Sequence, residues 1–253
     1  MNSSRKTALI TGASSGIGLD FARQLAGEGY EVILVARSED KLRALAAELG
    51  NARVIVADLS HGDAPQRVFD AAGLVDVLIN NAGYGLAGPF SENDLQTELE
   101  MIQVNIAALT HLTKLFLRPM IARRSGHIVN VASTAAFQPG PLMAVYYATK
   151  AYVLSFSEAI ADELRDSGVT VTALCPGPTA TAFAEIAGTT SLRLHKVARP
   201  MKSEDVVRYG VRAMKHGKRV AIPGVANKIA MQSLRVSPRR LVTTLVRKLQ
   251  EKR

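Results

Sequence analysis

Thr11-Gly12-Ala13-Ser14-Ser15-Gly16-Ile17-Gly18 closes an apolar run, Thr7 to Thr11, and opens a helical pattern, Gly16 to Gly27. The glycines follow a 4-then-2 spacing at the point where a strand hands over to a helix. Absent side chains let the backbone turn sharply and approach a pyrophosphate, whose charge meets unpaired N–H groups and the positive end of the helix. A plain turn could carry the same letters. The strand before and the helix after supply the context that a phosphate cradle needs.

Outward from this loop, short Val-, Ile- and Leu-rich runs recur at Glu31 to Ala36, Arg53 to Val56, Val75 to Asn80, His127 to Val131, Val169 to Leu174 and Arg219 to Ile222. They read as parallel strands buried on both faces. Helical periods fill the gaps at Glu39 to Leu49, Ala64 to Ala72, Leu95 to Arg123, Val145 to Asp166 and Ser203 to Lys215. The alternation predicts a single-domain α/β Rossmann fold, with a seven-stranded, doubly wound parallel sheet and helices on both faces. Residues 1–225 form that domain in this reading, and 226–253 a basic helical extension of it. Phe137 to Met143 and Cys175 to Pro200 break the alternation after strand ends, where such sheets bind ligands, and are expected to act as lids or pocket walls.

The chain has 253 residues, 47% hydrophobic and 21% charged, enough for a substantial core and far from the composition of disorder. No apolar stretch reaches the ~18 residues of a membrane span. Polar Met1 to Lys6 runs straight into strand-like Ala8, Leu9 and Ile10, so no apolar signal segment is expected ahead of the fold. Cys175 is the only cysteine, which excludes an internal disulfide and points to a reduced cytoplasm. The net charge is +9, yet from Lys228 onward eight Lys and Arg face only Glu251. With aromatics at 5% and no Trp, this concentrated charge does not describe a nucleic-acid groove.

Dinucleotide sites that prefer NAD carry an Asp or Glu at the end of the second strand. Here that strand ends Val35-Ala36-Arg37. Arg37 offers a planar cation suited to a 2'-phosphate, so the expected cofactor is NADP(H), with a merely solvated Arg37 as the bland alternative. Further along, Tyr146-Tyr147-Ala148-Thr149-Lys150 begins a helical segment, and Tyr146 with Lys150 at i, i+4 shares a face. A free tyrosine ionises near pH 10 and needs a neighbouring positive charge to exchange protons near neutrality. Lys150 is placed to supply one. Ser133 follows the strand ending Val129-Asn130-Val131, and Asn105 lies inside the long helical segment.

With these residues in order, the sequence resembles the short-chain dehydrogenase/reductase family over about residues 5 to 225. The motifs are the glycine loop at 11 to 18, Asp58-Leu59, Asn80-Asn81-Ala82-Gly83, Asn105, Ser133, Tyr146 with Lys150, and Pro176-Gly177 with Thr179. The resemblance implies a catalytic set of Asn105, Ser133, Tyr146 and Lys150. In it Tyr146 is the acid in carbonyl reduction and the base in alcohol oxidation, and Ser133 bonds the substrate oxygen. Lys150 binds the nicotinamide ribose and lowers the tyrosine pKa, and Asn105 holds a water between Lys150 and solvent. It implies that the cofactor is held by Gly12, Ser14, Ser15, Gly16, Ile17 and Gly18, by Arg37 with Ser14 at the 2'-phosphate, and by Asp58 and Leu59 at the adenine. Asn81, Ala82 and Gly83 would flank the adenosine ribose, and Pro176, Gly177 and Thr179 the carboxamide. It also implies a homodimer or homotetramer, with Leu95 to Arg123 and Val145 to Asp166 as the usual dimer face. The whole chain looks like bacterial relatives of 3-oxoacyl and 17-beta-hydroxysteroid reductases.

Leu86, Phe90, Phe137, Leu142, Met143, Phe183 and Ile186 would give an apolar pocket for a lipophilic ketone or alcohol, unless they are ordinary core. His61, His111, His127, His195 and His216 show no metal spacing and read as surface or loop residues; no metal is expected. Cys175 reads as a small buried filler. Ser237 and Pro238 read as the cap and first residue of a tail helix whose apolar face is Leu241, Val242, Leu245, Val246 and Leu249. Packing on its own protein, covering the pocket, joining subunits and weak peripheral contact with an anionic membrane all remain open for it. Two rivals to an enzyme stay open as well: a non-catalytic NADP-binding regulator, and a peripheral membrane protein built around the tail.

Overall fold

Runs such as Glu31–Ala36 (EVILVA) have no polar face to offer water, so they are stable only with helices against both sides. The computed structural model, which describes residues 5–190 and 199–251, builds that arrangement. Along the chain come β1 (Thr7–Thr11), α1 (Gly16–Gly27), β2 (Glu31–Ala36), α2 (Glu39–Leu49), β3 (Ala52–Val56), α3 (Ala64–Ala72) and β4 (Val77–Asn80). There follow α4 (Leu95–Ile102), α5 (Leu109–Ala122), β5 (Gly126–Val131), α6 (Ala144–Glu163) and β6 (Val169–Leu174). The chain continues with β7 (Thr179–Ala180), α7 (Phe183–Ile186), β8 (Met201–Lys202), α8 (Ser203–Lys215), β9 (Val220–Ala221), α9 (Val225–Leu234) and α10 (Arg239–Gln250).

Seven strands form one parallel sheet in the order β3-β2-β1-β4-β5-β6-β9. Ile10 of β1 stands between Leu34 of β2 and Ile79 of β4. From β1 the chain first builds outward through β2 and β3, then crosses back to β4 and builds the other way. That reversal opens a crevice at the C-terminal ends of β1 and β4. On one face Phe21, Ala22 and Leu25 of α1 pack with Val206, Val207 and Val211 of α8. On the other, Val68 of α3 packs with Leu112, Phe116 and Met120 of α5.

Four features depart from the sequence reading. The segment expected as one helix from Leu95 to Arg123 is interrupted by a π-helical turn, Gln103–Ala108, which holds Asn105. The loop after Cys175 contains a two-stranded parallel ribbon, β7 with β8, because Met201 pairs with Thr179. The tail helix starts at Arg239, one residue later than expected. Pro238 is its cap residue, and the Ser237 hydroxyl donates to Ser233 O instead of capping forward. His127 also departs, sitting half-buried in β5 with Nδ1 against Thr170 Oγ1 at 2.7 Å. His195 lies outside the described residues.

A buried polar chain ties the sheet to the helices behind it. Asn80 Nδ2 donates to Thr113 Oγ1 at 3.0 Å and to Asn130 Oδ1 at 2.9 Å, and Asn130 Nδ2 donates to Ser157 Oγ at 2.9 Å. Asn130 is fully buried, so truncating it takes one partner from the Asn80 amide and one from the Ser157 hydroxyl where water cannot replace it. Asn130→Ala is expected to lower the unfolding free energy by about 1–3 kcal/mol. Denaturant titration measures this, and an unchanged midpoint would show that the chain adds nothing to stability.

Candidate active site

The crevice is a cavity of about 760 Å³ that runs from Arg37 past the glycine loop to Tyr146. At its first end Gly12 has φ +65°, a conformation that a side chain strains. No side chain caps the first turn of α1, since Ser15 makes no capping bond, so the leading N–H groups of that helix are left to a ligand. A Cβ on Gly18 would lie 2.2 Å from Gly12 O and 2.5 Å from Asn81 Nδ2. Gly18 therefore serves helix–loop packing behind the cradle and does not line the cavity, contrary to expectation. The loop is braced from β4: Thr11 Oγ1 accepts the N–H groups of Asn81 and Ala82, each at 3.0 Å. Asn81 Nδ2 donates back to Thr11 O at 3.0 Å and to Gly12 O at 3.3 Å. The Asn81 side chain is thus spent on the loop, while Ala82 and Gly83 line the cavity beside it.

Arg37 projects from the end of β2 with its side chain 73% exposed, and Nη1 lies 3.6 Å from Asp58 Oδ2. Asp58 Oδ1 accepts from Ser60 N and Ser60 Oγ at 2.9 and 2.8 Å. Burial pushes the Asp58 carboxyl up, but the Ser60 donors, Arg37 and His61 outweigh it, so the net shift is downward. Ser38 and Lys41 line the same end and were not singled out from the sequence. Their signal was a cation four residues after Arg37, on the first turn of α2.

At the other end α6 carries Tyr146 and Lys150 into the cavity, and Ser133 caps the 3₁₀ turn Thr134–Phe137 by accepting from Ala135 N at 3.0 Å. Tyr146 is 8% exposed, and burial drives its phenol well above the usual tyrosine range; a side-chain hydrogen bond with Ser133 pulls it partway back. Lys150 was expected to lower this pKa directly. Its Nζ instead donates to Val131 O at 2.8 Å and stands 5.9 Å from the Tyr146 ring centroid. Burial brings the Lys150 ammonium down to about 8, opposed by the Cys175 thiol nearby. Cys175 itself is fully buried, with its thiol pushed up to about 12 by burial, which matches a filler and not a nucleophile.

Asn105 does not reach the cavity wall. Its Oδ1 accepts from Tyr84 N at 3.2 Å, and its Nδ2 donates to Tyr84 O and Thr149 Oγ1, both at 3.0 Å. The π turn swings this amide between the loop after β4 and the helix that bears Tyr146 and Lys150. Every other expected residue lines the cavity: Gly12, Ser14, Ser15, Gly16, Ile17, Arg37, Asp58, Leu59, Asn81, Ala82, Gly83, Ser133, Tyr146, Lys150, Pro176, Gly177 and Thr179. Thr179 Oγ1 is occupied by Gly177 O at 2.9 Å.

Leu86, Met143, Phe183 and Ile186 form the apolar wall near Tyr146, and Phe183 packs on the Tyr146 ring at 5.4 Å between centroids. Phe90, Phe137 and Leu142 are not part of it: Phe90 is 65% exposed, and Phe137 packs beside Leu109 and Val153. The wall is completed from the C-terminus, by Val246, Leu249 and Gln250 of α10. Gln250 Nε2 donates to Tyr147 Oη at 2.6 Å, across 103 residues of sequence. Burial of Val242 and Val246 against Met143, Tyr146 and Tyr147 decides the inward face of α10, so Leu241 and Leu245, expected on the same face, are exposed. Gln250 carries no sequence signal, because a polar residue at a helix end ordinarily faces water.

A family model for the short chain dehydrogenases matches residues 6–191. Over 179 residues the chain is 36% identical to 17-beta-hydroxysteroid dehydrogenase type 3 of Mus musculus, covering 67% of this chain and 58% of that protein. A short-chain dehydrogenase from Sphingobium yanoikuyae, solved in complex with NADPH, superposes with a TM-score of 0.80 at 32% identity, over 93% of this chain and 97% of that one. A short chain dehydrogenase/reductase from Burkholderia phymatum, solved with NAD, gives a TM-score of 0.81 at 27% identity, over 90% of this chain and 92% of that one.

The lowered Lys150 pKa can be measured without any substrate. In NMR spectra of lysine labelled at the ε-carbon, one resonance is expected to titrate near pH 8 while the exposed lysines titrate near pH 10.4. Below about pH 8 Lys150 is a cation, and it loses that charge as the pH rises. Absence of this resonance, or its survival in Lys150→Met, would refute the assignment.

Proposed function

The chain belongs to the short-chain dehydrogenase family, and from that premise we propose that it is an NADP(H)-dependent oxidoreductase that interconverts a lipophilic ketone and its secondary alcohol. The observation that carries this reading is the meeting of Ser133, Tyr146 and Lys150 on one wall of a cavity whose far end is an uncapped, glycine-lined helix start. The bound nicotinamide supplies or accepts the hydride. The residues of the chain orient it and handle one proton.

In the reducing direction the Ser133 hydroxyl bonds the substrate carbonyl oxygen, and the Tyr146 hydroxyl gives its proton to that oxygen as the alcohol forms. In oxidation the same proton returns to Tyr146. Burial raises the Tyr146 phenol above its ordinary range, so it holds a proton to give when a carbonyl is bound. Lys150 bonds the nicotinamide ribose, and its charge eases the ionisation of Tyr146 when the proton leaves. Asn105, packed against Tyr84 and Thr149, is a positioning residue that sets the loop after β4 against α6.

The residues present fit a 2'-phosphate: no carboxylate closes β2, and Arg37 and Lys41 flank the cavity end that also carries Ser14 and Ser38. A lipophilic substrate is supported by Leu86, Met143, Phe183, Val246 and Leu249 near Tyr146. Assembly into dimers or tetramers through Leu95 to Arg123 and Val145 to Asp166 is supported by exposed Leu95, Leu99, Ile102 and Tyr152.

Two outcomes test the reading. Incubated with cell extract and NADPH deuterated at the transferable position, the protein is expected to give a labelled alcohol by mass spectrometry. Tyr146→Phe should lose that label by at least ~100-fold while still binding NADPH; full labelling by the variant would remove the mechanism. Arg37→Ala is expected to weaken NADPH roughly tenfold and leave NADH nearly unchanged. Equal affinity of the native chain for both cofactors would overturn the NADP assignment.

A further inference from the structure

The last two described helices form a surface unlike the rest of the molecule. Residues 225–251 carry Lys228, Arg235, Arg239, Arg240, Arg247 and Lys248 against a single acid, Glu251. Among the described residues only Arg247 of these six has an acidic partner, Glu251 at 3.4 Å; the Lys228 ammonium instead lies over the Tyr209 ring at 5.0 Å. Between the cations stand large apolar side chains in water. Val225 and Ile229 of α9 are 70% and 66% exposed, Val236 in the connecting turn 86%, and Leu241 and Leu245 of α10 63% and 57%.

The inward face of α10 is already used, by Val242, Val246 and Gln250. At about 100° per residue, Leu241 and Leu245 fall on the flank beside Leu249, at the cavity rim, with Lys248 just beyond them. Arg240 and Arg247 lie farther round, on the outer side. Leucines bordered by the unpaired Lys248, on a segment that carries five further cations against one acid, complement a surface that offers hydrocarbon and anionic head groups together. A second copy of the chain would bring another excess of cations against the same surface, which disfavours a symmetric contact. No helix among the described residues is long and apolar enough to cross a bilayer, so the geometry is that of a helix lying in the interface.

We propose that α9, its turn and α10 dock this protein on anionic lipid bilayers, with Leu241 and Leu245 in the acyl boundary and the surrounding Lys and Arg at the head-group phosphates. Because α10 is also a cavity wall, docking sets the rim of the cavity against the lipid. A lipophilic substrate could then pass between bilayer and site without crossing water; that corollary rests on the proposed function, whereas docking does not.

The test is co-sedimentation of the full chain with vesicles of phosphatidylcholine alone or mixed with phosphatidylglycerol, at low and high salt. Binding is expected only to the anionic vesicles, with strong loss in high salt. The double variant Leu241→Glu, Leu245→Glu should bind at least roughly tenfold more weakly. Its unfolding temperature should match the wild type, since both side chains are exposed. No binding to anionic vesicles would overturn the proposal, as would full binding by the leucine variant. A dimer that the same variant dissolves, without vesicle binding, would assign the surface to a second copy instead.

Discussion

The Thr11 hydroxyl is the small contact on which the crevice depends. It accepts the N–H groups of Asn81 and Ala82 and donates to Ile79 O, fastening the end of β1 to the end of β4 at the point where strand order reverses. Parallel strands splay at their C-terminal ends once the ladder stops, and nothing in the ladder itself fixes the distance between two loops there. This side chain does so from the middle of the sheet. The glycine turn is thereby held by both neighbours, through Asn81 on one side and the Ala13 N–H to Val35 O on the other.

Around that rigid start the site is an exercise in controlled burial. Tyr146 and Lys150 are both nearly closed off from water, and burial acts on them in opposite senses: it raises the pKa of the phenol and lowers that of the ammonium to about 8. Each has one compensating bond, to Ser133 and to Val131 O respectively. At neutral pH the pair therefore carries the Lys150 charge, held close to its titration point and sensitive to any charge brought into the cavity beside it.

Most of the sheet was legible because buried strands and amphipathic helices leave strong periodic signals, and Thr7–Thr11, Glu31–Ala36 and Val169–Leu174 end where the pattern ends. The cradle was legible from its glycine spacing between strand and helix, and the Tyr146, Ser133 and Lys150 group from the family resemblance that puts those motifs in order. What escaped was set by tertiary contact. The π turn at Asn105 leaves no mark in an apolar period, and the spacing of Gly18 does not say whether a glycine faces ligand or helix. Which stripe of α10 turns inward depends on Met143 and Tyr147, a hundred residues away, and those contacts bury Val242 and Val246 while leaving two of the three leucines in water. Gln250 was invisible for the same reason.

That Gln250 meets Tyr147 has a consequence for how the protein can change. The match to the short chain dehydrogenase family ends at residue 191, yet the wall closest to Tyr147 is contributed by the last described helix. The glycine loop and its brace from β4 lie within residues 11–83 and share no residue with that wall. An insertion, deletion or exchange confined to the final two helices would thus reshape the cavity wall at Val246, Leu249 and Gln250 without touching the glycine loop. One side of the cavity can therefore vary through a segment that lies far in sequence from the glycine loop.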